Sequence, residues 1–298
     1  MSTGIAFTGP QLVALLGDPA LVRALDSSGF AFAVAGIDRI DGSAPDGPTV
    51  DSSIAVAFLA ERTPHLAWLA AAAVHRDHPY NLARRIASAD HLSGGRTGLV
   101  LGVRDGYAPE GGTVWGGAGS STGLPIDAAT TDEAAEVVQE LWQSYPAEAI
   151  VADRHTGIYA RADRIRRVEH RGGFRVEGSL TVPTTAQGTP VLARRVTSAA
   201  EAASAAAVVD LLIAPPGVRT SVPTVVEVDG DEPIEAPDAV GVLLRPREDS
   251  DLGALFARYA ERPAASGTLR ERLGLPEPAP RLTDAPAAFA TPSAELAH

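Results

Sequence analysis

The chain has 298 residues, 45% of them hydrophobic, and a formal net charge of −12, which allows a sizeable core in one large domain or two ordinary ones. That acidic balance argues against nucleic acid or an anionic membrane surface as partner. With no cysteine, and with arginine as every one of its 25 basic residues, the chain has no route to disulfides, thiolate catalysis, a P-loop lysine or a Schiff base.

The opening "MSTGIAFTGP" lacks the basic region and apolar run of a secretion signal. No window reaches the ~20 apolar residues of a membrane span, so a cytoplasmic protein is expected. Ile5–Phe7 starts an apolar run, and "PQLVALLGDPALVRALDSSG" has helical spacing broken by Pro and Gly. "FAFAVAG" (30–36) is short and continuously apolar, as in a strand covered on both faces. A polar loop leads to a helix near Ser52–Arg62, then "HLAWLAAAAV" (65–74) is a second buried strand of this kind. In "HPYNLARRIASADHLSGGR", Asp77 or His78 can cap a helix and Pro79 suits its first turn. Leu82, Ile86 and Ala89 share one face, and the Gly94–Gly95 pair stops it. "TGLVLGV" (97–103) completes a βαβ unit.

Residues 104–131 form a long Gly-, Ser- and Thr-rich loop. A helix over 131–145 has Thr131 as its expected cap and Val137, Val138, Leu141 and Trp142 facing inward. Residues 146–189 are irregular, with short β-like pieces such as "FRVEGSL". A strand over 190–196 precedes a helix over 198–209. Three more apolar runs follow at 210–214, 224–228 and 239–246. Helices are expected at 251–262 and, for a turn or two, at 268–275. From Pro276 a Pro/Ala-rich tail to 298 is expected to be disordered. The eight apolar runs predict an α/β fold, a (β/α)8 TIM barrel in a single domain over 1–275. Only nine residues separate the sixth and seventh runs, fewer than the dozen or so a crossover helix needs. Helices are therefore expected to be missing around the last strands.

Several of these stretches resemble a family. "HPYNLARRIASADHLSGGR" is similar to the helix and turn after the third strand of bacterial luciferase-like flavin-dependent monooxygenases. The closest branch is that of the nitrilotriacetate and dibenzothiophene-sulfone monooxygenases. Residues 140–192, Asp38 beyond the second strand and "TLRERLGLPEP" follow in the same order. The resemblance implies reduced FMN at the C-terminal strand ends, supplied by a separate reductase. It implies oxygen insertion into a small organic substrate, with no nucleic-acid or membrane partner. Two departures accompany it. The segment before the 131–145 helix lacks the branch's His and Tyr, and "RRVTS" puts Val196 where the branch's Q-A-G-A-S turn has glycine. These departures favour an alternative, a degenerate paralogue acting as a binding or partner subunit.

Candidate catalytic residues are His75 and His78, after the third strand. Each has a plainer role as well, His78 as a helix cap and His75 as a loop residue. Candidate cofactor contacts are Asp38, Val74, Arg104, Arg194, Thr197 and Ser198, all near strand ends. Backbone amides around Thr197 and Ser198 suit a phosphate, although an N-cap alone explains Ser198. Arg194 and Arg195 face opposite ways, so one of them points into the mouth. H-x-x-H has no third ligand at suitable spacing, so no metal site is expected. "GGTVWGGAGSSTG" (111–123) is out of frame for a nucleotide loop and reads as a lid, with Trp115 over the mouth. Strands stripped of helices leave apolar surface, which suggests a homodimer.

Overall fold

A computed structural model describes residues 2–108, 123–260 and 266–289. In chain order its elements are β1 (Ser2–Phe7), α1 (Gly9–Gly17), α2 (Pro19–Asp26), β2 (Phe32–Ala35), α3 (Ser52–Arg62), β3 (Ala67–Ala73), α4 (Pro79–Ser93), β4 (Thr97–Gly102) and α5 (Ala128–Gln143). Then come β5 (Ile150–Asp153), β6 (Ile158–Ala160), β7 (Val168–Arg171), β8 (Arg175–Gly178), β9 (Val191–Arg195), α6 (Ala199–Ala205), β10 (Leu211–Ala214), β11 (Thr224–Asp229), β12 (Gly241–Arg245), α7 (Leu252–Tyr259) and α8 (Leu269–Arg272).

All eight apolar runs become strands of one closed barrel, ordered β1-β12-β11-β10-β9-β4-β3-β2, with every neighbouring pair parallel. Alternation along each strand sorts the side chains into two cores. Ala6, Phe32, Val34, Leu69, Val100, Ala193, Ile213, Val225 and Leu243 fill the barrel interior. Phe7, Trp68, Leu99, Leu192 and Leu244 face outward and pack with the helices. Phe32 is bulky enough to require a glycine opposite it: a Cβ on Gly4 would lie 2.4 Å from its ring.

The helices follow their local signals. His78 caps α4 by accepting the Tyr80 N–H, Pro79 opens it, and Gly94 ends it at φ 67°. Leu82, Ile86 and Ala89 form its buried face. Asp18 divides the first helical stretch in two by capping α2. The cap of α5 is Asp127 rather than the expected Thr131, because the helix starts earlier and Asp127 accepts the Thr130 N–H. Trp68 and Trp142 are core residues, and the Trp142 indole donates to the Ala83 carbonyl of α4 at 2.9 Å. The irregular stretch 146–189 holds two antiparallel hairpins, β5–β6 and β7–β8.

No helix intervenes between β10 and β11 or between β11 and β12, as the short connections required. The stretch beyond Pro276 lies against the inserted 146–189 stretch as far as its description goes: Arg167 donates its N–H to the Pro286 carbonyl and Ala288 to the Ile165 carbonyl. Residues 290–298 lie outside the described residues. Leu269, Leu273 and Leu275 close the barrel's lower end. Among the described residues no helix is long and apolar enough to cross a membrane.

Candidate active site at the barrel mouth

The C-terminal ends of the parallel strands form one rim, the face on which barrel enzymes place their chemistry. Interior alternation puts Arg195, Glu227 and Arg245 in its top layer, one step beyond Ala193, Val225 and Leu243. The Glu227 carboxylate, 4% exposed, receives Arg195 Nε at 2.8 Å and Arg245 Nη1 at 3.0 Å. Arg245 also pairs with Asp41. These three strand ends therefore meet as a neutralised charged layer, since a buried carboxylate without such partners would be costly.

Above that layer the turn after β2 folds inward. Gly36 at φ 76° sends the chain into a short 3-10 turn over Ile37–Arg39. Ile37 and Ile40 are buried among the barrel's interior side chains. Gly102 makes room for them, because a Cβ there would sit 2.3 Å from the Ile40 Cβ. The Ile40 carbonyl accepts from Arg195 Nη1 at 3.5 Å. The mouth is thus filled by the chain's own residues 37–41.

A second cluster lies on the β3–β4 side. His75 is buried, and its Nε2 accepts the Asp105 N–H at 2.9 Å, so that nitrogen carries no proton. The Asp105 carboxylate takes Arg39 at 3.2 Å and Arg76 at 3.5 Å. Asp38 is fully buried; it accepts the Gly9 N–H at 3.0 Å and the Tyr107 hydroxyl at 2.5 Å. Burial and the Asp38 carboxylate push the Tyr107 phenol well above its ordinary value. Asp38 and His75 are brought together at the mouth through Tyr107 and Asp105. His78 stands at the start of α4, edge-on to Phe174. Burial lowers its basicity, against a smaller opposing pull from Asp77.

Other expected contacts lie elsewhere. Arg194 faces outward, with its Nε on Asp132 of α5 at 3.2 Å and Nη1 on the Arg195 carbonyl at 2.6 Å. Arg195 is the member of the pair that enters the mouth. Val74 likewise packs in the outer core. Thr197 gives both its N–H (2.7 Å) and its hydroxyl (3.0 Å) to Glu201, and Ser198 caps α6 by accepting the Glu201 N–H. A carboxylate thus already occupies the Thr197 amide, one of those expected to hold a phosphate. Arg104 reaches the Ala108 carbonyl at 3.4 Å. The 111–122 part of the expected lid, including Trp115, lies outside the described residues. Sequence reasoning missed Glu227, Arg245, Ile40 and Tyr107. A signal existed for the first two: each stands two positions beyond an interior apolar residue, in the same alternation.

A parallel eight-stranded barrel with polar groups gathered on its C-terminal rim defines a TIM-barrel protein of the enzyme type. The chain belongs to the luciferase-like monooxygenase family, which it matches over residues 18–220; these are flavin oxidoreductases that bind reduced flavin. It is 34% identical over 301 residues to one of the subunits of pristinamycin IIA synthase from Streptomyces pristinaespiralis, covering 92% of this chain and 98% of that one. Dibenzothiophene-sulfone monooxygenase of Rhodococcus erythropolis is 34% identical over 142 residues, 46% of this chain but only 30% of that longer one. The solved structure of EDTA monooxygenase from Chelativorans sp. BNC1 superposes with a TM-score of 0.65 at 16% identity, covering 93% of this chain and 99% of that one.

The residues at the mouth, as it stands, do not fit a flavin. Ile37 and Ile40 occupy the axial space, Arg195 and Arg245 are already matched by Glu227 and Asp41, and Glu201 holds the Thr197 amide.

Proposed function

We propose that this chain is a monooxygenase that uses reduced FMN, delivered by a separate reductase, and O2 to oxidise a small organic substrate. The observation that carries this reading is the closed parallel barrel whose rim gathers His75, Asp38, Tyr107 and Arg195, in a chain of this family. The filled mouth is then a resting state. With the 37–41 turn lifted away, Arg195 and Arg245 would be the residues to hold the phosphate or ring carbonyls of a flavin. Burying Ile37 and Ile40 favours the closed state by about 3–6 kcal/mol. That lowers apparent flavin affinity by roughly two to four powers of ten relative to an open mouth. His75, Asp38 and Tyr107 serve as positioning groups for the opened site.

Anaerobic titration with reduced FMN tests this. Ile40→Ala, which weakens the plug, is expected to bind about tenfold more tightly than the natural chain. Failure of both proteins to bind at millimolar flavin would overturn the reading. One observation, the filled mouth, favours a second reading in which the chain is a binding or partner subunit, and that result would leave it standing. We further propose a homodimer formed through the helix-free side, where Val218, Val222, Val226 and Ile234 line a cleft of about 520 Å3. A monomeric mass in solution would contradict this.

A further inference from the structure

The turn that fills the mouth is fastened by one short segment, Asp105-Gly106-Tyr107, just past the end of β4. Three polar contacts run from that segment to the turn. The Tyr107 hydroxyl donates to Asp38 at 2.5 Å. The Asp105 carboxylate takes Arg39 Nη1 at 3.2 Å. The Gly106 N–H donates to the Arg39 carbonyl at 3.2 Å. Arg39 also lies over the Tyr107 ring, 5.5 Å from its centre. The approach is close enough to require glycine at 106, because a Cβ there would run into the carbonyl oxygens of Ser43 and Asp38. On its other side the segment is anchored: His75 Nε2 accepts the Asp105 N–H at 2.9 Å, and Arg76 meets the Asp105 carboxylate at 3.5 Å. Both carboxylates are buried, and contacts that share residues in this way are energetically coupled.

We infer that Asp105-Gly106-Tyr107 is the latch of the mouth: the 37–41 turn opens only when this segment releases Asp38 and Arg39, and the three contacts break as one event. Arg195 and Arg245 also touch the turn, at Ile40 and Asp41, but both keep Glu227 when it leaves. The latch rests on the reading of the filled mouth as a resting state, and it names the residues that regulate access to that site.

Amide exchange in the full chain without flavin tests the latch apart from flavin binding. The Gly106, Ile40 and Asp41 amides are expected to exchange with one common opening free energy, while the Asp105 amide, held by His75, exchanges more slowly. Gly106→Ala drives a wedge between segment and turn and should speed the Ile40 and Asp41 amides about tenfold or more. Tyr107→Phe removes only the hydroxyl and should speed all three about tenfold, the worth of a hydrogen bond to a charged group. Gly106→Ala should also bind reduced FMN about tenfold more tightly than the natural chain, a gain that a merely structural loss would not produce. Gly106 exchanging out of step with Ile40 and Asp41, or unchanged exchange of those two amides in both variants, overturns the latch. Faster exchange in the variants, with no flavin bound by any of the proteins, would uphold the latch and overturn the flavin reading. Tyr107→Phe decides the matter even if Gly106→Ala fails to fold.

Discussion

The two halves of the barrel are held together differently. Strands β1 to β4 are wrapped by α1 to α5, whose apolar faces bury Leu12, Leu59, Ile86 and Val138 against the outward side chains of the sheet. Strands β10 to β12 have thinner helical cover: the short α6 packs with Leu212 and Ala214 of β10 and the short α7 with Val242 and Leu244 of β12, and no helix follows β10 or β11. Polar clasps at their two ends make up the difference. At the mouth, Glu227 binds Arg195 and Arg245. At the lower end, Arg270 of α8 pairs with Asp210 at 3.1 Å and reaches Thr189, while Gln187 accepts the Arg270 N–H. Parallel pairing keeps the bare strands in register. What the missing helices would have supplied by burial is replaced by directed contacts.

Substitutions can break this contrast. Arg270→Met should show the largest effect, about 3–5 kcal/mol in urea unfolding, because it leaves Asp210 buried without its cation. Leu59→Ala, in the wrapped half, should cost about 2–5 kcal/mol through the cavity it opens in the helix layer. Stability should also depend on pH through Asp90, at the lower end of the wrapped half. Burial raises its pKa, with hydrogen bonds from Thr97 and Gln187 opposing. A raised native value means the stabilising contribution is complete below the unfolded value of 3.8 and is lost as pH rises through the native one. Asp90→Asn should remove that decline, which sets in as the pH rises above 3.8, read from urea midpoints. Val226→Ala, on the bare side, should cost less than about 1 kcal/mol, since the side chain is only half-buried. A Val226 effect as large as that of Leu59 would erase the distinction between the halves.

The barrel was legible in the sequence because buried parallel strands are continuous apolar runs, and all eight could be counted. His78, Pro79 and Gly94 announced the limits of α4 through capping chemistry. The missing helices were legible as well, from connections too short to hold them. The site was less so. Whether Arg194 or Arg195 faces inward depends on where alternation is counted from, and only pairing with β4 and β10 settles it. Ile40 looked like an ordinary loop residue; its place in the mouth depends on the vacancy at Gly102, far away in sequence. The sequence places the Thr197 amide at a helix start, open to a phosphate; that Glu201, one helical turn on, takes it depends on a side-chain conformation that spacing does not specify.

The inward fold of residues 37–41, and its exchange for flavin, is the hinge of the proposed function. Hydrogen exchange at the Ile40 and Asp41 amides, both donating to the Ile37 carbonyl at 3.0 and 3.1 Å, reports that turn directly. With saturating reduced FMN under anaerobic conditions, both amides should exchange faster than in the free protein. Bound flavin with unchanged protection at these two amides would contradict it.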